Sequence, residues 1–127
     1  NIHGKPHGFG VPVASTVLHF VFPDKFPIVD IRTAEMVYLT RKIKSPNRYD
    51  YRIYGQFRSV MLEIASKTGF SLRKIDKALF TYHRDVIQPE MNRILKGWIA
   101  ANKRGPQLSL TLDAPPKLRR LILDQIK

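Results

Sequence analysis

The sequence predicts an all-α fold, a multi-helix orthogonal bundle, and three observations carry that prediction. Apolar residues recur three and four apart over most of the chain. Residues that start or stop helices stand at the edges of these stretches: Asp30 and Ser71 before them, Pro12 and Pro89 just inside, Gly69 after. Strand-type alternation occurs once, at Leu108-Ser109-Leu110-Thr111-Leu112, and one short strand cannot make a sheet alone.

Residues 1–10 hold three glycines, a proline and two histidines and read as loop. Val13, Ala14, Val17, Leu18 and Val21 then mark the apolar face of a first helix, with Pro12 accepted in its first turn. Pro23 and Pro27 bracket a connector. Asp30 caps a second helix that buries Ile31, Ala34, Val37 and Tyr38, and Lys42 and Lys44 suit its negative C-terminal end. After a polar loop at 45–50, a third helix spans roughly 51–68, with Ile53, Phe57, Val60, Met61, Ile64 and Ala65 on one stripe. Ser71 caps a fourth, which carries Leu72, Ile75, Leu79 and Tyr82. Pro89 opens a fifth, in which Met91, Ile94, Leu95, Trp98 and Ile99 align as core. Asn102 through Pro106 breaks it, and Pro115-Pro116 leads into a basic helix with Leu118, Leu121, Ile122 and Ile126. Two regions follow: a helical domain over 1–105 with a hairpin-like N-terminal element, and 106–127 as an extended segment plus a C-terminal basic helix.

Composition narrows the partners. The 127 residues suit one core, and 43% are hydrophobic. Lysine and arginine number 22 against 10 acids, a net charge of +12, with a pI near 10.3. Such an excess repels itself and calls for an anionic partner, nucleic acid before any other. Arg73, Lys74 and Lys77 share part of the fourth helix; Lys117, Arg119 and Arg120 crowd the last. Cysteine is absent, which removes disulfides and thiolate metal sites and fits an intracellular, cytoplasmic setting. No apolar run approaches the ~20 residues of a membrane span. His3 and His7 are four apart, but Gly4 and Pro6 oppose the helix that would put them on one face, and no acid is near. Neither a metal nor a cofactor is expected.

Function concentrates at His7-Gly8-Phe9-Gly10-Val11-Pro12-Val13-Ala14-Ser15. Gly8 and Gly10 let the backbone turn and leave amides uncovered, and the helix that follows aims its positive end at the same spot. Val11, Val13 and Ser15 complete a candidate phosphate cradle. Asp30, eighteen residues past Pro12, is the candidate catalytic carboxylate, although a helix start wants such a cap in any case.

The Gly8-Phe9-Gly10 turn with Val13-Ala14-Ser15 resembles the second half of a helix-hairpin-helix element, and Phe26-Pro27-Ile28-Val29-Asp30-Ile31-Arg32 adds to the likeness. Together, over about residues 7–44, they are similar to the helix-hairpin-helix superfamily of base-excision DNA glycosylases, the endonuclease III-like enzymes. The resemblance implies a hairpin that grips a backbone phosphate through main-chain amides and a base that leaves the stack for a pocket. It also implies that Asp30 is the carboxylate that stabilises the developing sugar cation or activates water. Bifunctional members place a lysine nucleophile two residues after the second glycine. Here that residue is Pro12, so the resemblance implies a monofunctional DNA glycosylase acting on an N-glycosidic bond. The helices that precede the hairpin in that superfamily have no room before Gly8, so the domain is expected to be truncated upstream.

A non-enzymatic structural or regulatory DNA-binding protein, nucleoid-associated, explains the same charge. Residues 106–127 are loosely similar to half of a ribbon-helix-helix repressor, which would make a dimer through the C-terminal segment.

Overall fold

The computed structural model describes residues 10–40, 42–46, 50–101 and 115–127. These residues are all-helical, with no strand among them. The Gly8 turn and the Leu108–Leu112 stretch lie outside the described residues.

Helix α1 (Val11–Val21) follows an extended Gly10 and carries Pro12 in its first turn. Helix α2 (Ile31–Leu39) begins at Asp30 in a reciprocal cap: Asp30 Oδ1 accepts from the Thr33 amide, and Thr33 Oγ1 accepts from the Asp30 amide. Helix α3 (Tyr51–Thr68) is capped by Asp50, whose carboxylate accepts from the Ile53 amide, and ends at Gly69 in the left-handed region, φ 76°. Helix α4 (Leu72–Tyr82) takes its cap from Ser71.

The fourth and fifth helices are not separated by a break at Pro89. A π turn (His83–Ile87) joins α4 directly to α5 (Gln88–Ala101), and the Gln88 amide donates to the His83 carbonyl five residues back. Proline lacks an amide and its ring crowds the carbonyl four residues earlier; a wide turn just ahead of it accommodates both without ending the helix. Helix α6 (Pro116–Ile126) follows the second region that is not described.

Helix α2 is the hub, packing against α3, α4, the π turn and α6, while α6 also lies along α5. The shared core runs through Val37, Tyr38, Phe57, Met61, Ile75, Met91, Leu95, Ile122 and Leu123.

Two expectations about faces are corrected. On α1 the apolar stripe points outward: Val13, Val17 and Val21 are exposed, Phe20 is 80% exposed, and the polar Ser15 and His19 are buried. The reversal has a local cause, since both polar side chains bond the connector that follows, a gain the periodicity cannot register. Trp98, expected in the core, is 40% exposed beside a groove lined by Leu95, Ile99, Pro115, Leu118 and Leu121. Tyr82 and Leu121 are exposed as well.

Candidate functional site

The connector from Phe22 to Val29 is tied down along its length. His19 Nδ1 donates to the Phe26 carbonyl at 2.9 Å, and Arg58 Nε donates to the Lys25 carbonyl at 2.6 Å. Tyr54 donates its hydroxyl to the Pro27 carbonyl at 2.8 Å. The Val29 amide donates to Ser15 Oγ at 3.1 Å, and Ser15 in turn donates to the Pro12 carbonyl at 2.9 Å. Side chains from α1 and α3 thus hold a stretch with no regular backbone pairing of its own. Val29 is buried at its end, and Asp30 is delivered to the head of α2 at a fixed place.

Asp30 lines a cleft of about 330 Å³ together with Ile28, Arg73, Asp76, Lys77, Phe80 and Thr81. Its bonds within the described residues use Oδ1, for the cap. A carboxylate here is oriented before any ligand arrives, because the capping bond costs about 1 kcal/mol to break.

The opposite wall is α4. Arg73 and Lys77, one turn apart, line the cleft, and Arg73 also borders an adjoining cleft lined by Thr16, His19, Phe20, Pro23 and Ile28. Lys74 is directed elsewhere: its ammonium sits over the Phe70 ring, 4.2 Å from the centroid. Phe80 offers an aromatic surface, and the Arg32 guanidinium lies 5.3 Å from its centroid.

Between Arg73 and Lys77 stands Asp76, which sequence reasoning passed over. Its side chain is 7% exposed, and Oδ2 accepts from Arg73 Nη1 at 2.5 Å. Burial pushes its carboxyl above the ordinary aspartate range, and the neighbouring Asp30 charge adds to that. Arg73 and His19 pull it back down. Two carboxylates and two cations therefore share one cleft.

The expected phosphate-gripping residues are divided. Gly10 is exposed at the head of α1, and no side chain among the described residues caps that helix, so the Val11 and Val13 amides belong to its first turn; Pro12 contributes none. Ser15 is 1% exposed and both of its hydroxyl bonds are internal, so it positions the connector and presents nothing outward. Gly8 lies outside the described residues.

A second polar cluster escaped the sequence entirely. Glu35, His83 and Arg119 are all but fully buried where α2, the π turn and α6 meet. Arg119 Nη2 donates to both Glu35 oxygens, 3.0 Å to Oε2. Arg32 Nη1 lies 3.0 Å from His83 Nδ1. A guanidinium can only donate, so Nδ1 accepts, and the ring proton sits on Nε2 and points at Glu35 Oε1, 2.9 Å away. Elsewhere on α6, Arg120 donates to Ser45 Oγ, Asp124 accepts from the Tyr38 hydroxyl, and Lys127 lies over the Tyr38 ring. Much of the basic helix's charge is thus spent on α2 and its neighbours.

Among the described residues no helix is long and apolar enough to cross a membrane. Comparisons with protein-family models, with curated proteins and with solved structures return no match for this chain.

Proposed function

We propose that this chain is a DNA-binding domain of the helix-hairpin-helix glycosylase type, acting without a lysine nucleophile on an N-glycosidic bond. The observation that carries the reading is Asp30, pinned at the head of α2 with one oxygen left for a cleft whose other wall holds Arg73, Lys77 and Phe80. In this reading the phosphate backbone lies along the α1 N-terminus and the cations of α4, and an extruded base enters the cleft. As the bond between sugar and base breaks, the Asp30 carboxylate faces the positive charge left on the sugar. The bonding pair leaves with the base; water then adds to that carbon, its proton passing to the carboxylate and from there to the departing base nitrogen. The net charge of +12 supports a polyanionic partner.

A second reading keeps the DNA and drops the chemistry. Asp30 already has a complete structural task as the cap of α2, which favours a non-enzymatic, structural or regulatory DNA-binding protein.

One variant separates the two. Asp30→Asn keeps an N-cap of similar quality, so the fold is expected to survive. With a glycosylase, release of base from a panel of lesion-containing duplexes, read as alkali-labile abasic sites, falls by a hundredfold or more while affinity for DNA is kept. With a binding protein, no abasic sites form with either chain. Affinity that stays constant as salt rises from 50 to 200 mM, roughly the range over which phosphate contacts weaken, would sink both readings.

A further inference from the structure

The Asp76 carboxylate is incomplete as it stands. Arg73 satisfies Oδ2, but Oδ1 is buried from solvent and has no hydrogen-bond donor among the described residues. A buried carboxylate oxygen is ordinarily paired, because its lost hydration must be replaced, and an orphan in a native fold points to a partner that arrives later. Asp76 lines the same cleft as Asp30, whose own free oxygen is Oδ2. Beside the charged Arg73 and Lys77, the cleft offers the apolar Ile28, the flat ring of Phe80 and the hydroxyl of Thr81. The cleft's 330 Å³ gives room for one planar heterocycle with its edge turned to α4. The last torsion of an aspartate is soft, and its partner Arg73 is half exposed, so the carboxylate can turn without moving backbone.

We propose that Asp76 is the residue with which this cleft reads its ligand: Oδ1 accepts a hydrogen bond from the exocyclic amino group of a nucleobase held against Phe80 and Ile28 beside Asp30. The proposal rests on reading the cleft as a pocket for an extruded base, and it names the class of base. Asp76 discriminates, while Asp30 faces the sugar. A carboxylate pointed at a base edge rewards an N–H donor and penalises a bare ring edge or a carbonyl, since the latter leaves the oxygen unpaired again. The raised proton affinity of Asp76 belongs to the empty cleft, where burial and Asp30 both oppose its charge; a bound donor supplies what is missing.

The test uses two DNA duplexes with a fluorescent dye far from the centre. One carries 2-aminopurine and the other unsubstituted purine at the same central position, each opposite an abasic residue so that neither base is paired. The two probes differ by one amino group. Fluorescence polarisation is expected to show the wild-type chain binding the 2-aminopurine duplex at least tenfold more tightly. Asp76→Asn keeps an oxygen for Arg73 and turns an NH₂ toward the cleft, so the preference is expected to vanish or reverse. Equal wild-type affinity for the two probes overturns the proposal, as does an Asp76→Asn variant that keeps the preference. If that variant does not fold, judged by its thermal unfolding, the wild-type ratio decides alone: tenfold supports the proposal and unity overturns it. The parent reading fails by a different result, no salt-sensitive binding of any duplex, and takes the proposal with it.

Discussion

Two polar clusters grow from the same helix and are finished to different degrees. Near the first turn of α2, Glu35 lies with His83 and Arg119 at the meeting of three helical elements, with both of its oxygens and both ring nitrogens of His83 engaged. At the head of α2, Asp30 faces Asp76 across a cleft, and among the described residues one oxygen of each carboxylate is bonded and the other is not. Burial of charge is common to both, so burial alone does not mark a site. The difference lies in the carboxylates: the chain itself meets both Glu35 oxygens, whereas Asp76 Oδ1 has no donor among the described residues. A cluster whose lone pairs are met by its own chain holds the fold together, and one left short in a cleft has kept capacity for something else.

The Glu35 cluster is the more vulnerable of the two to substitution. Glu35→Ala leaves Arg119 charged and buried and removes the acceptor for His83 Nε2. The expected cost is about 3–5 kcal/mol, read as a shift of the urea midpoint. Replacing Glu35 and Arg119 together by Leu and Met is expected to cost far less, since no uncompensated charge remains. A double variant as unstable as Glu35→Ala would show that the pair contributes more than charge balance.

Alkaline pH probes the ties around both clusters. Tyr38 donates to Asp124 on α6, and Tyr54 holds the Pro27 carbonyl of the connector. Burial pushes both hydroxyls up to about 12, helped at Tyr38 by the Asp124 hydrogen bond and charge; Arg120 at Tyr38 and Arg58 at Tyr54 pull the other way. The folded state therefore keeps protons that the unfolded chain releases from about pH 10. Their stabilising contribution is full below pH 10 and is lost as pH rises toward 12. Tyrosine absorbance should titrate together with loss of helical circular dichroism, and an early titration near 10 with the helix intact would remove Tyr38 and Tyr54 from that role.

Smaller effects sharpen the open side. Ser15→Ala removes the acceptor for the buried Val29 amide and should cost about 1–3 kcal/mol while loosening the placement of Asp30. If the reading of Asp30 is right, activity or base-site binding falls more than stability does. Asp76→Asn is expected to leave stability within about 1 kcal/mol of wild type and on the favourable side, because it removes a buried charge whose only donor among the described residues is a half-exposed arginine. A large loss would place Asp76 with Glu35 as a structural residue.

Particular residues show what could be read beforehand. Asp30 capping α2, Ser71 capping α4 and Gly69 ending α3 all stand where the sequence put them, because caps and left-handed turns are settled within three or four residues. Asp76 was invisible as a site residue, since its meaning lies in facing Asp30, which is 46 positions away. Glu35 and His83 carried no signal in the sequence, and Arg119 stood there only as one of a basic cluster. Nothing local tells a buried ion pair from a solvated one when the partners come from α2, the π turn and α6. The outward apolar stripe of α1 was misread for the same reason: its orientation is chosen by bonds from Ser15 and His19 to the connector, not by hydrophobicity along the helix.

Spacing and punctuation by themselves determined that this chain is helical, where most of its helices begin, and that a strongly basic protein carries an acid at the head of its second helix. These are properties of short windows, in which backbone sterics and side-chain caps dominate. Which charges are buried, which faces turn outward and which carboxylates meet were decided only by tertiary packing. Those outcomes depend on how three or more elements share one interior, where the cost of an unpaired charge outweighs any local preference.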